Sequence, residues 1–360
     1  MPFALAFAQQ GRRNFLEARL RRARQNRLAT SPAPLYELTL RIAAMDFPRY
    51  TVIVPMARFR ADEPVLVSLR DTPPPEGGLQ IIVVEGIHPA RQRNAALSRA
   101  QGGIVVFLDN DCSIGANYWR ELESVLTQPE VEIVGGPALL RPHATAWEEI
   151  FHALLTHVLV VGTVASRYAS RGDFRPATQT DLILCNLAVR RSIFAKIGPL
   201  STDLYPNEEN EWLDRAEAAG MRAFHDPGLQ VFRPQRATPV QMTLTLLRYG
   251  MGRTRQFRVS GWRPTFHQVL PLVLLGAIYA LIHWQLVREF CALWLIASGI
   301  IAVSGQSLTH AWERVVAGLI APLVPLIYAV GQLAGWFALL LPAPDSSAEI
   351  VLRNERGEKM

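Results

Sequence analysis

Lysine is almost missing from this sequence. It occurs only at positions 196 and 359, so the formal net charge of +6 is carried by arginine. Cysteine is scarce as well: Cys112, Cys185 and Cys291 are odd in number and far apart. That excludes a disulfide framework and a zinc-ligand spacing, and it suggests a reducing compartment for the soluble part. No Gly-rich phosphate loop of the Walker or dinucleotide type is present, which leaves a Rossmann-type oxidoreductase without its phosphate turn. No basic groove interleaved with aromatics runs along the chain, so nothing marks nucleic acid as a partner. The first residues, "MPFALAFAQQGRRNF", place basic residues behind a short apolar start, the reverse of a secretory signal.

Apolar residues are plentiful, at 49% of 360 residues, and the excess falls after residue 265. "FHQVLPLVLLGAIYALIHW" (266–284) has no Asp, Glu, Lys or Arg and matches the length of a bilayer crossing. Residues 290–312 and 315–341 are two further candidates, the second interrupted by Pro322 and Pro325. Arg248, Arg253, Arg255, Arg258 and Arg263 precede them and place that side in the cytoplasm. Near the N-terminus, "GRRNFLEARLRRARQNRL" reads as an Arg-rich helix, either lying on an anionic membrane surface or simply solvated. "WEEIFHALLTHVLVVGTVAS" reads as an amphipathic or membrane-grazing helix rather than a span.

Between these regions strands and helices alternate. "YTVIVPM" (50–56) and "LQIIVVEG" (79–86) read as strands, "HPARQRNAALSRAQGG" as a helix, "IVVFLDND" as the next strand and "LILCNLAV" (182–189) as another. Strands separated by helices of this size imply a parallel sheet covered on both faces, with its ligand beyond the carboxyl ends of the strands. Met56, Glu85 and Asp109 then face one crevice.

The apolar run ends in Asp109 and Asp111. If strand geometry persists, residues i and i+2 share a face. The two carboxylates then repel unless a cation or a donor-rich ligand covers them. The alternative is an Asx-type turn, each side chain bonding its own backbone. A second acidic cluster, "NEENEWLDRAEAAG", puts Glu208, Glu209 and Glu211 at a helix start. The helix dipole favours acids there, yet three in four positions exceed that need, and one could act as general base on an alcohol.

Val54–Pro55, Val84–Glu85, Arg93–Asn94, "FLDND", "NEENEWL" and "RYGMGR" (248–253), in that order, resemble family 2 glycosyltransferases of the GT-A fold over roughly residues 48–255. The resemblance implies an α/β fold with a mostly parallel nucleotide-binding sheet, helices on both faces and C-terminal transmembrane helices. The divisions are a basic amphipathic segment (1–45), a GT-A domain (46–258), a transmembrane region of two to three helices (264–342) and a polar tail (343–360). By the same resemblance Pro55, Ala57, Glu85, Arg93, Asn94 and Asp109 lie against the nucleotide sugar. Asp111, with Asp109, holds a divalent ion such as Mg2+ or Mn2+. Glu209 is the base of an inverting displacement, with Glu208 and Glu211 orienting it or touching the acceptor. Trp212, Arg248 and Arg253 complete the acceptor side.

The implied reaction moves a sugar from a nucleotide-diphospho-sugar to a hydroxyl of a lipid-linked or membrane-proximal glycan. It takes place at the cytoplasmic face of the inner membrane, in a multi-pass protein. A polyprenyl-phosphate sugar synthase and a catalytically silent membrane scaffold are the alternatives. The sequence departs from the pattern in carrying Glu at 85 and 209 where Asp is usual. Arg233 stands near the usual metal-binding His, and the Q-x-x-R-W signature of processive enzymes is absent, which favours single transfer. His143, His152 and His157 read as structural, and Cys112 as a buried thiol.

Overall fold

The computed structural model describes residues 35–38, 48–260, 266–303, 308 and 310–339. The Arg-rich N-terminal segment expected to be helical and the polar tail lie outside them.

The chain begins with β1 (Leu35–Leu38), β2 (Tyr50–Met56), α1 (Pro64–Asp71), β3 (Leu79–Glu85), α2 (Pro89–Leu97) and β4 (Ile104–Leu108). It continues through β5 (Ser113–Ile114), α3 (Tyr118–Leu126), β6 (Ile133–Gly135), β7 (Ala138–Leu140), α4 (Ala146–Leu155), α5 (Val158–Val161) and a 3-10 turn over Gly162–Arg167. Then come β8 (Arg175–Pro176), β9 (Asn186–Arg190), α6 (Ser192–Ile197), α7 (Glu208–Ala218), β10 (Ala223–His225) and β11 (Val231–Arg233). The C-terminal helices are α8 (Pro239–Ser260), α9 (Phe266–His283), α10 (Gln285–Val303), α11 (Ala311–Ile320) and α12 (Leu323–Leu339).

The main sheet has the order β1-β3-β2-β4-β9-β6-β10-β8. Strands β2, β3, β4, β6 and β10 share one direction, and β1, β8 and β9 run against them. The expectation of a mostly parallel sheet therefore holds for β3, β2 and β4, while β1 runs antiparallel at the edge and β9 inserts antiparallel between β4 and β6. Only the second half of the apolar run 182–189 is strand, because Leu182 and Leu184 pack below the sheet rather than pairing.

The central strands are buried on both faces, and the side-chain alternation sorts them. Val52, Val54, Ile81, Val83, Val106 and Leu108 join one core with α1 and α3. Ile53, Ile82, Val84, Val105 and Phe107 join the other with α2, α6 and α7. This is why these strands read as continuous apolar runs. Burying each such side chain contributes about 1.5–3 kcal/mol.

A small second sheet, β5-β11-β7, flanks the first. Its strand β5 begins directly after the "DND" segment, so the two sheets meet at those aspartates.

The region from Trp147 to Ser166 is not one helix. It bends by 71° between Ala146–Leu155 and Val158–Arg167, and its start is fixed by a Thr145–Glu148 capping box. Helix α8 packs tightly along α12. A Cβ on Gly250 would lie 2.2 Å from the Tyr328 carbonyl oxygen, and one on Gly331 would lie 2.4 Å from that of Leu247. The small residues are what allow this backbone approach. Among the described residues, one helix, Ala311–Ala338, is long and apolar enough to cross a membrane by length and composition.

Candidate active site

Strands β2, β3 and β4 end side by side, with Met56 in register with Glu85. Their carboxyl ends are tied by Gln92 of α2, whose amide donates to the Met56 carbonyl (2.8 Å) and to the Val84 carbonyl (2.6 Å). Glu85 accepts the Phe59 N–H, so it anchors the loop after β2. Pro55 is buried within β2, and Ala57 is exposed just past its end.

Strand geometry does not persist past Leu108. The chain turns at once, with the Cys112 N–H donating to the Asp109 carbonyl at 3.3 Å. Neither i, i+2 alternation nor an Asx turn accounts for the two aspartates. They are drawn together by a guanidinium: Arg233 donates to Asp109 Oδ2 at 3.4 Å and to Asp111 Oδ2 at 3.0 Å. The small sheet explains how it gets there. In the β5–β11 pairing Val231 faces Ile114 and Phe232 faces Ser113, so the next residue, Arg233, falls beside the "DND" turn.

A second arginine joins the two acidic clusters. Arg93 of α2 donates to Asp109 Oδ1 at 2.6 Å and to Glu208 Oε1 at 3.3 Å. Arg93 and Glu208 side chains are each 5% exposed. The result is an alternating chain of charges, Glu208–Arg93–Asp109–Arg233–Asp111. Burial, and then the charge on Glu209, push the Glu208 carboxyl up to about 7. Glu209 is the more open of the two. Its nearest cation is Arg167 at 3.9 Å, which is itself held by Asn210 Oδ1 at 2.6 Å. Asn207 precedes the helix in the left-handed region (φ 87°), and it turns the chain so that both glutamates fall in the first turn of α7.

Other expected residues settle elsewhere. Asn94 does not face the crevice: its amide both donates to (2.8 Å) and accepts from (3.0 Å) the backbone of Leu200. Glu211 pairs with Arg215 at 2.6 Å, and Arg215 in turn donates to the Ile197 and Pro199 carbonyls ahead of α7. Trp212 is buried against Phe194, its indole N–H on the Gly198 carbonyl at 3.0 Å. Arg253 is buried on Gln179 and Gln256, and Arg248 is exposed. The "RYGMGR" segment serves packing: Gly250 meets α12, and Gly252 meets Pro206 and Asn207. Cys112 and Cys185 are fully buried, and burial pushes both thiols up. His157 caps α5 through Nδ1, and burial pushes His152 down to about 4.

The residues present do not suit a divalent ion at Asp109 and Asp111. Three of their four carboxylate oxygens accept from guanidinium groups, and the fourth, Asp111 Oδ1, is buried with no partner. Among the described residues no group of three or more His, Cys, Asp and Glu could hold a metal. The sequence put Arg233 only near the position of the usual metal-binding His; its place across both aspartates follows from a pairing between distant segments.

No protein-family model matches the sequence, and no curated protein does. Solved structures are similar to the chain at low identity. Mannosyltransferase PcManGT from Pyrobaculum calidifontis, in complex with GDP-Man and Mn2+, is 17% identical with TM-score 0.47, covering 87% of this chain and 94% of that one. S. aureus TarS 1–349 in complex with UDP is 12% identical with TM-score 0.37, covering 86% and 98%. GalNAc-T7 with UDP, GalNAc and Mn2+ is 11% identical with TM-score 0.37, covering 59% and 52%.

Proposed function

We propose that the chain is an inverting glycosyltransferase of GT-A type. It would move a sugar from a nucleotide-diphospho-sugar to a hydroxyl of a lipid-linked or membrane-proximal glycan, at the cytoplasmic face of the inner membrane. The observation that carries this reading is the charge chain from Asp111 to Glu208. It sets the acidic turn at the end of β4 and the glutamates at the start of α7 in one continuous site. The position, beyond the carboxyl ends of β2, β3 and β4, is where such sheets take ligands.

Each residue then has a task. Ala57 and Glu85 border the base and ribose side of the donor. Asp109 and Asp111 face the ribose and diphosphate, with Asp111 Oδ1 left over to accept a hydroxyl. Glu209, open where Glu208 is pinned, is the base. The acceptor oxygen attacks the anomeric carbon and gives its proton to Glu209. The bond from that carbon to the diphosphate oxygen breaks on the opposite face, and the nucleoside diphosphate leaves with the electron pair. One displacement inverts the centre. Burial, and then the charge of its neighbour, push the Glu208 carboxyl up to about 7, which sets the two glutamates apart.

The test is thermal stabilisation of detergent-purified protein by UDP, GDP, CDP and dTDP, followed by sugar transfer with the matching donor. One nucleotide should stabilise. Glu209→Gln should then lower turnover by about 10²–10⁴-fold while nucleotide stabilisation is kept. A chain that responds to none of the nucleotides is a scaffold rather than a transferase.

A further inference from the structure

We propose that Arg233 is the fixed positive charge that receives the donor's diphosphate, so that donor binding and transfer proceed without a divalent ion. This rests on the transferase reading above and names the group that does the electrostatic work within it.

The argument begins with what the two aspartates already hold. Arg233 lies across both, at 3.4 and 3.0 Å, and Arg93 takes a third oxygen at 2.6 Å. A divalent ion on the remaining oxygen, Asp111 Oδ1, would sit beside that guanidinium, and like charges at such range repel strongly in a half-buried site. The aspartates therefore act as a mount. They fix the plane of Arg233, and the register of β11 on β5 fixes its backbone. A guanidinium has five N–H donors in a rigid fork. The pair to the aspartates leaves donors over, and the fork matches phosphate oxygens two at a time. When the bond from the anomeric carbon to the diphosphate breaks, the leaving oxygen keeps the electron pair. A cation already oriented toward it stabilises that charge without reorganisation.

Two further features agree. Arg236 stands three residues on; burial pushes the phenols of Tyr168 and Tyr249 up, and Arg233 and Arg236 both act against that rise, so the two guanidinium groups share one neighbourhood. Asp111 Oδ1, buried and without a partner, is an acceptor suited to a ribose or sugar hydroxyl. Both belong to a site built for an anion carrying hydroxyl groups.

The experiment is calorimetric titration of the full chain in detergent with UDP, GDP, CDP and dTDP, each in EDTA, in Mg2+ and in Mn2+. It is paired with a count of Mn2+ bound at saturating nucleotide. The expected result is one nucleotide binding equally in EDTA and in metal, with no stoichiometric Mn2+ retained. Arg233→Lys keeps the charge and the mount but loses the fork, and should weaken that binding about tenfold or more. Arg233→His exchanges the guanidinium for a metal-ligating ring beside two freed carboxylates, and should make binding depend on Mn2+. Nucleotide binding by the wild type that vanishes in EDTA, with one Mn2+ bound, overturns the role of Arg233 and leaves the transferase reading standing. Failure to bind any nucleotide in any condition ends both.

Discussion

Glu208 sits where two demands conflict. Its side chain is 5% exposed and meets the Arg93 guanidinium at 3.3 Å, yet burial and the neighbouring Glu209 raise its pKa from 4.5 to about 7. Folding therefore favours its protonated form. That contribution to stability is fully present below pH 4.5, the unfolded value, and is lost as pH rises through about 7. Chemical denaturation followed across this window should show stability falling as pH rises. Glu208→Gln, neutral at every pH and of the same shape, should flatten the fall. An unchanged pH slope in that variant would assign the titration elsewhere. The same residue shows how far a sequence can be read. Three acids at a helix start were visible, and so was the excess over what a helix dipole asks for. Which one is pinned and which is open depended on Arg93, 115 residues away in the chain, and no local pattern contains that.

Strands β2 and β3, and the apolar part of β4 up to Leu108, were legible nearly to the residue because they are buried on both faces, and a double-sided core leaves an unmistakable apolar run. Elements whose role depends on a partner were not. Residues 182–189 looked like one strand, but half of the run packs beneath the sheet. "RYGMGR" looked like a ligand motif, and its glycines are there for close packing. On one side Gly250 touches α12; on the other, Gly252 lies under Pro206 and Asn207, at the turn that aims Glu208 and Glu209. A methyl group at Gly250 would fall 2.2 Å from a backbone oxygen of α12, so the helices must separate. Overpacking of this kind costs about 1–3 kcal/mol. Gly250→Ala should lower the melting temperature of the detergent-purified chain, and transfer should fall by more than nucleotide binding does, because α8 also supports the glutamate turn. A variant with wild-type melting would mean that α8 and α12 slide apart freely.

Helix α8 also constrains how the whole molecule would meet a membrane. The segment Ala311–Ala338 has the length and apolarity of a span, with 33% of its apolar window buried. Yet it does not project from the domain. Ala317, Ala321 and Val324 share a core with Met242 and Leu246 of α8 and with α4. Further on, Thr254 donates to the Gln332 carbonyl at 3.0 Å, and Phe257 meets Trp336 with ring centroids 5.4 Å apart. The two helices run side by side in the same direction, and α8 carries Arg253, whose guanidinium is bound to Gln179 in the segment between β8 and β9. Driving α11 and α12 straight through a bilayer would pull that polar helix into hydrocarbon, where each arginine costs at least about 2.5 kcal/mol. The arrangement instead suits a helix lying along the membrane surface. Its outward residues Trp312, Leu319 and Phe337, 50%, 71% and 70% exposed, would sink into the interface while α8 stays in water. Single cysteines at Trp312 and Phe337, in a chain lacking its native three, should therefore react with an impermeant thiol reagent from the same side, the side on which a cysteine at exposed Ala57 reacts. Labelling of Trp312→Cys and Phe337→Cys from opposite sides of sealed vesicles would restore a true crossing, and it would require α8 to leave α12 when the protein inserts.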